Sequence, residues 1–359
     1  MEAVSNSEGR RGRRVNPKPP TLLLTGLVTG LAGCSGSHSI LDPAGPAARD
    51  VAWLWWGMLI GFTLVFLAVV ALWLAAFRRR GGTDQTAGPG QEYDSEAARR
   101  LGLRWILGGG ILLPGVSVLV LLAFGVPAGH RLLPLPLPDG EPPRVIEVTG
   151  HQWWWEVRYP NEAGEVVTAN HLVMPAGEPV DFHVTGADVI HAFWVPRLGG
   201  KIDMIPGRVN RIRLEADAPG VFGAQCAEYC GVQHAHMHLH LEAVPPEEFD
   251  AWLAARRDAE PAPDDPDDGH APARATFAEH CAECHRVAGL SDGDRGPDLS
   301  DLGARATLGA GTLAMEEGAI ARWLAEHQRL KPGNRMPAHD HLEPEALDAL
   351  GAWLETLRP

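Results

Sequence analysis

The sequence predicts a three-part membrane protein: a hairpin of two transmembrane helices, a domain of short strands in a Greek-key arrangement, and a small all-α domain. Three observations carry that expectation. Two long stretches, Ala52–Phe77 and Trp105–Gly129, contain no charged residue. Short alternating segments separated by Pro/Gly turns fill about Arg144–Val244, and helical patterns surround a Cys-x-x-Cys-His motif near the C-terminus. With 359 residues the chain is long enough for two or three domains, and its 30 prolines and 41 glycines argue for connectors between them.

Residues 1–33 carry five basic residues (Arg10, Arg11, Arg13, Arg14, Lys18) against two acidic ones (Glu2, Glu8), then an apolar run Thr21–Leu31 ending in Leu31-Ala32-Gly33-Cys34. That order reads as a secretory signal of the lipoprotein type, with cleavage before Cys34 and a lipid on its thiol. The alternative is an uncleaved N-terminal anchor. Arg13-Arg14 is a weak match to a twin-arginine signal. At ~1.5 Å per residue each charge-free run crosses a hydrocarbon core of ~30 Å. Neither run shows a polar face, which argues against two buried core helices. We expect transmembrane helices at 50–78 and 104–129. Arg78, Arg79, Arg80, Arg99, Arg100 and Arg104 bracket the loop 79–103, so the positive-inside rule puts it in the cytoplasm and the C-terminal half on the outer face.

In the strand domain, expected over 144–245, Val145, Glu147 and Thr149 alternate with Ile146, Val148 and Gly150. Val180-Asp-Phe-His-Val184 and Val209-Asn-Arg-Ile-Arg-Leu214 read the same way. Such strands suggest a sandwich or barrel that holds its loops rigidly. One loop reads Cys226-Ala-Glu-Tyr-Cys230-Gly-Val-Gln-His234-Ala-His-Met237. Two thiolates, an imidazole and a thioether form a copper ligand set. A blue-copper centre needs one Cys, so two point to bridging between metals; a Cys226–Cys230 disulfide would leave His234 and Met237 unexplained. The missing imidazole is assigned to His191 in Asp188-Val-Ile-His191-Ala-Phe-Trp. His234, His236, His238 and His240 alternate and on a regular strand would share a face. A second metal site there competes with the commoner outcome, exposed histidines on a rim.

An acidic, Pro-rich linker is expected at 258–273, where six like charges keep the chain extended. About 17 residues give a mean span of ~20–25 Å, enough to hold the C-terminal domain near the strand domain without permanent docking. In that domain (274–359), Cys281-Ala-Glu-Cys284-His285 is the attachment signature of a c-type haem, with His285 as proximal ligand. A zinc role is disfavoured because a second ligand pair at fitting spacing is missing. Phe277 precedes the motif on an amphipathic segment, Gly296-Pro297 follows in a loop suited to the proximal side, and Ala319–Leu330 and Glu343–Leu357 read as helices. Met336, before Pro337, is the chosen sixth ligand, because a thioether raises the haem potential; Met315, His339 and His341 compete.

With these motifs in view, the chain resembles subunit II of the haem–copper cytochrome c oxidases, in the caa-type variant with a fused cytochrome c. The resemblance covers about residues 34–359. It implies a cupredoxin fold, a class I cytochrome c domain and a binuclear CuA centre. Cys226 and Cys230 would bridge the coppers, His191 and His234 would be terminal ligands, Met237 a weak ligand, and Glu228 would contribute its carbonyl. The Glu228 carboxylate would also serve a Mg2+ shared with subunit I. In His151-Gln152-Trp153-Trp154-Trp155, Trp153 matches the point where electrons enter; for Trp154 and Trp155 ordinary strand packing is expected. Lys201-Ile-Asp203-Met-Ile-Pro-Gly resembles the segment facing subunit I. Trp154 departs from the family's usual tyrosine, and His238 from its common proline.

The function implied is electron entry to a membrane terminal oxidase. Electrons would pass from a donor cytochrome c through the covalent haem and the copper pair to subunit I, which reduces oxygen and translocates protons. The two spans contain no histidine, so oxygen chemistry belongs to a partner. The other oxidase subunits and the bacterial plasma membrane complete the expected setting. Competing readings are the equivalent subunit of a nitric oxide reductase and a stand-alone membrane-anchored carrier; a quinol oxidase subunit would lack these copper ligands. The formal charge is −14, and −14 − 3 = −17 without residues 1–33. That charge suits a basic donor protein and disfavours nucleic acid.

Overall fold

The computed structural model describes residues 35–80, 96–137, 140, 142–161, 164–259 and 268–359. The expected signal and Cys34, residues 81–95 of the expected cytoplasmic loop and residues 260–267 of the expected linker lie outside the described residues. Residues 37–359 form one compact unit.

Helix α1 spans Pro46–Arg80, starting before the charge-free run because Pro46, with no N–H to satisfy, suits a first turn. Helix α2 (Glu96–Trp105) continues through a π-helical turn, Ile106–Leu112, into α3 (Leu113–His130). The π turn contains Gly108-Gly109-Gly110 and precedes Pro114, which cannot donate to Gly110. Pro46–Arg78 and Glu96–His130 are both long and apolar enough to cross a membrane, and their apolar side chains face outward. The base of the hairpin is stitched to the strand domain by backbone bonds. Arg213 N donates to Leu132 O at 3.0 Å, Ala44 N to Arg197 O at 2.8 Å, and Asp217 N to Ala44 O at 2.8 Å.

Two five-stranded sheets follow. The first has the order β3 (Val166–Ala169), β2 (Trp154–Tyr159), β1 (Arg144–His151), β5 (Val180–Gly186), β8 (Asn210–Leu214). The second has β4 (His171–Pro175), β10 (His238–Val244), β9 (Gly220–Cys226), β6 (His191–Trp194), β7 (Ile202–Met204). Pairs β1–β5 and β4–β10 are parallel; the others are antiparallel. Alternation gives each sheet one inner face, and Trp155, Phe182, Phe193, Ile146, Leu172 and Leu239 pack between them without solvent. Helix α4 (Pro246–Arg257) leaves β10 and closes over the outer side of β4, which is buried along its whole length.

The C-terminal domain packs α5 (Ala271–His280), α6 (Ala319–Leu330) and α7 (Pro344–Thr356) around Phe277 and Trp353, whose rings meet edge-on at 5.3 Å. Two short hairpins, β11–β12 (Arg286–Val287, Ser291–Asp292) and β13–β14 (Thr307–Leu308, Leu313–Ala314), fill the connections. Helix α5 begins at Ala271, inside the segment expected to be linker, because Pro272 starts a helix well.

The expectation of an undocked tether is overturned. Asp301, 5 % exposed, accepts from Arg305 of its own domain and, across the boundary, from Arg256 on α4 and Thr168 on β3. Lys331 reaches into the strand domain with its ammonium buried. Two domains joined by charged groups so fully removed from water form a specific contact, since unpaired burial of those charges would be prohibitive.

Candidate copper and haem sites

The Cys226 and Cys230 thiols are free and buried, with their sulfurs 3.7 Å apart. Antiparallel pairing of β6 with β9 sets Phe193 opposite Cys226, which brings His191 in from the neighbouring strand. His191 Nδ1 is 3.9 Å from Cys226 Sγ, His234 Nδ1 is 3.6 Å and Met237 Sδ 3.8 Å from Cys230 Sγ, and Glu228 O is 3.2 Å from Cys226 Sγ. All six predicted copper-site residues therefore converge. The backbone holds the loop in place: Cys226 N donates to Met237 O at 3.0 Å, and Ala227 N to Ala192 O at 3.0 Å.

The site's electrostatics fit a soft cation. The hydrogen bond from the Cys230 thiol favours Cys226 as the thiolate, and Cys230 is correspondingly pushed far above the ordinary thiol range. Both can ionise only if positive charge arrives between them. Behind His191, Asp188 Oδ1 lies 2.9 Å from Nε2, fixing the ring with Nδ1 toward the sulfurs. Burial pushes the Asp188 carboxyl up, but the His191 ring and the Gln152 and Val189 N–H groups outweigh it, so the net shift is down.

The Glu228 carboxylate lies 3.9 Å from Lys201 Nζ. The shared face expected for four histidines is not realised, because His234–His236 form a 3-10 turn and β10 begins only at His238. His236 Nδ1 bonds Gln233 Oε1 at 2.7 Å, the His238 ring meets His38 edge-on, and His240 turns to Glu242.

Cys281, Cys284, His285 and Met336 all line one cavity of about 490 Å3. His285 Nδ1 lies 2.8 Å from the Pro297 carbonyl, which can only accept, so Nδ1 carries the proton and the Nε2 lone pair is free for a metal. Burial lowers the imidazole's pKa, keeping it neutral. A Cβ at Gly296 would come within 2.6 Å of this ring, so only glycine permits the loop's close approach. Both Met315 and Met336 pack against the domain's core, but among the described residues Met336 is the one methionine of the cavity wall. His339 is buried beside His327 and His341, outside that wall. Apolar walls of Phe277, Leu302, Ile320 and Leu324 with Arg295 and Arg335 at polar positions suit a flat apolar macrocycle bearing carboxylates. The donor chemistry fits a covalent haem.

The strand domain supplies the remaining wall of this cavity. His151, Gln152, Trp153 and Trp154 line it, so Trp154 is not ordinary strand packing; it stacks on His151 at 4.1 Å, whereas Trp155 is a core residue. Trp153 Nε1 and Gln152 Nε2 both donate to the Cys230 carbonyl, at 3.1 and 2.7 Å. On its other side the Trp153 carbonyl accepts from Lys331 Nζ at 2.8 Å, which also donates to His236 O and Gly309 O. Arg335, next to Met336, donates to Gln152 Oε1 and sits 3.4 Å from Asp188. Gln152 and Trp153 thus each touch the copper loop and the haem cavity together. Sequence reasoning missed Asp188, Asp301, Lys331 and Arg335. Only Asp188 carried a local signal, a carboxylate three residues before a ligand histidine; the others act across a domain boundary.

Comparison with known proteins places the two domains that carry these sites in families. Residues 162–244 match the family described as cytochrome c oxidase subunit II, periplasmic domain, and residues 271–358 match cytochrome c. A cytochrome c oxidase subunit 2 of Alkalihalophilus pseudofirmus is 35% identical over 351 residues, covering 94% of this chain and 96% of the relative. Another, from Bacillus sp. strain PS3, is 36% identical over 60% of this chain and 62% of its own length. The solved periplasmic domain of cytochrome oxidase subunit II from Bradyrhizobium japonicum is 36% identical, covers 32% of this chain and 94% of that one, and has a TM-score of 0.31.

Proposed function

Because this chain belongs to the cytochrome c oxidase subunit 2 family, we propose that it carries electrons from a donor protein through a covalent c-type haem and a binuclear CuA centre to a catalytic subunit that reduces oxygen with proton translocation. Copper bridged by thiolates and a covalently held haem supply one-electron redox change with little rearrangement. In this reading Cys226, Cys230, His191, His234, Met237 and the Glu228 carbonyl would hold the copper pair. Cys281 and Cys284 would attach the haem, and His285 and Met336 would supply its iron ligands. The Glu228 carboxylate beside Lys201 is the candidate for a Mg2+ shared with subunit I. Two apolar helices support a two-pass subunit whose metal domains share one side of a bacterial plasma membrane.

The observation that carries the proposal is the shared wall. Trp153 bonds the Cys230 carbonyl and lines the cavity of Cys281, Cys284 and His285, so the two sites are one side chain apart. Asp188 holds the His191 ring, and Lys331 and Arg335 fix the segment Gln152-Trp153 between them. Water is kept from this junction by burial of Trp153, Cys226, Cys230 and Lys331.

Gas consumption by the membrane-extracted complex, given a reductant and a small mediator, tests the reading. Oxygen uptake that collapses in Cys226→Ser is the expected result. Nitric oxide loss without oxygen uptake, or full oxygen uptake in the variant, would sink it.

A further inference from the structure

Outside these two sites, a second group of metal-type donors sits where β4 and β10 run in parallel. His171 is the register partner of His240, and Glu242 lies two residues further along β10, on the same face. One donor atom from each of the three lies within 4.8 Å of the others. His240 Nε2 is 2.8 Å and His171 Nε2 is 3.5 Å from the same oxygen, Glu242 Oε1.

His171 is the telling member. It is 5 % exposed, and neither ring nitrogen has a partner with hydrogen-bond geometry. A neutral imidazole brings one donor and one acceptor, and buried polar atoms are nearly always satisfied. The Trp252 indole on α4 meets the His171 ring edge-on, with centroids 6.5 Å apart. His240 and Glu242 are only partly covered, which leaves a way in for an ion.

The spacing suits coordination. Ligands at about 2.0–2.1 Å from a tetrahedral ion lie roughly 3.3 Å apart, close to the 3.5 Å between His171 and Glu242. The His240–Glu242 separation of 2.8 Å is a hydrogen bond that would open by about half an ångström on coordination. Two imidazoles and one carboxylate are too few, and too nitrogen-rich, for Ca2+ or Mg2+.

We propose that His171, His240 and Glu242 bind a borderline divalent transition ion of the Zn2+ type, with water as the fourth ligand. The site shares no residue with the copper loop. It lies just ahead of α4, whose Arg256 engages Asp301, so a bound ion braces the sheet edge from which the haem domain is anchored.

The test uses the full chain in detergent, loaded with copper and haem, equilibrated with micromolar Zn2+ and desalted. Elemental analysis is expected to find one more zinc per chain in wild type than in the His240→Gln/Glu242→Gln double variant, with copper unchanged. X-ray absorption at the zinc edge should show N/O neighbours at about 2.0–2.1 Å and no sulfur near 2.3 Å, which excludes zinc lodged between the cysteines. Glu242→Gln alone, isosteric and on a partly exposed side chain, should weaken zinc retention at least tenfold. Equal zinc in wild type and either variant, or sulfur in the zinc shell, overturns the assignment.

Discussion

Replacing Asp301 with asparagine asks whether charge joins the haem domain to the strand domain. The carboxylate accepts from Arg305 Nε at 2.9 Å and Nη2 at 2.6 Å, from Arg256 Nε at 3.2 Å, and from Thr168 Oγ1 at 3.0 Å. Burial alone would push its pKa up, but the two guanidinium groups more than offset this and the net shift is down. Asparagine keeps the shape and leaves two buried cations facing a neutral amide. Breaking one side of a buried ion pair costs about 3–5 kcal/mol. For a domain of 60–100 residues, about 3 kcal/mol lowers Tm by roughly 12–24 °C. Calorimetry of the detergent-solubilised chain should resolve that loss in the haem-domain transition. Because the folded pKa is depressed, this stabilisation is present above the ordinary carboxylate range and fades as pH falls through the folded value. Asp301→Asn should therefore also flatten the acid limb of stability. Thr168→Val is the control, removing one neutral hydrogen bond worth about 1 kcal/mol. If Asp301→Asn shifts Tm no more than Thr168→Val does, charge is not what holds the domains together.

Two other perturbations follow from the same geometry. Burial lowers the Lys331 pKa to about 7, and undocking would return it toward an ordinary lysine value near ~10.4. Between those values the undocked form holds more protons, so docking should strengthen as pH rises, by at most about tenfold per unit, and level off below about 7. Oxidative footprinting of Trp153 across that range reads this directly, and a profile unchanged in Lys331→Gln would refute it. Gly296→Ala should push the His285 ring back, since its Cβ would sit 2.6 Å from Cε1, at a cost of about 1–3 kcal/mol. Haem-stained gels should show reduced covalent attachment; wild-type staining with an unaltered spectrum would contradict the steric account.

The parts of this molecule that were legible in its sequence are those set by short-range pattern. Alternation at Val145–Gly150 became β1, the apolar runs became long helices, and the Cys226–Met237 spacing became a cluster because a tight loop between β9 and β10 closes it. His191 was also within reach, because a copper set short of one imidazole asks for it. Docking of the haem domain was not legible. It rests on Lys331 finding three carbonyls on separate segments and on Asp301 meeting Arg256, none of which leaves a trace in local sequence. The acidic, Pro-rich composition of 258–273 suggested a connector but said nothing of whether the flanking bodies touch, and its last residues, from Ala271, are helical. The histidine alternation misled for a related reason: a single 3-10 turn at His234–His236 removed the period on which it depended.

The wall that His151, Gln152, Trp153 and Trp154 build against the haem cavity also imposes an order on biogenesis. A haem joined to Cys281, 8 % exposed, and to Cys284, as proposed above, would have to reach them through this pocket. Once Lys331 and Asp301 are seated, one side of that pocket is closed by another domain. A group large enough to fill that pocket would therefore enter more easily before the two domains are seated than after.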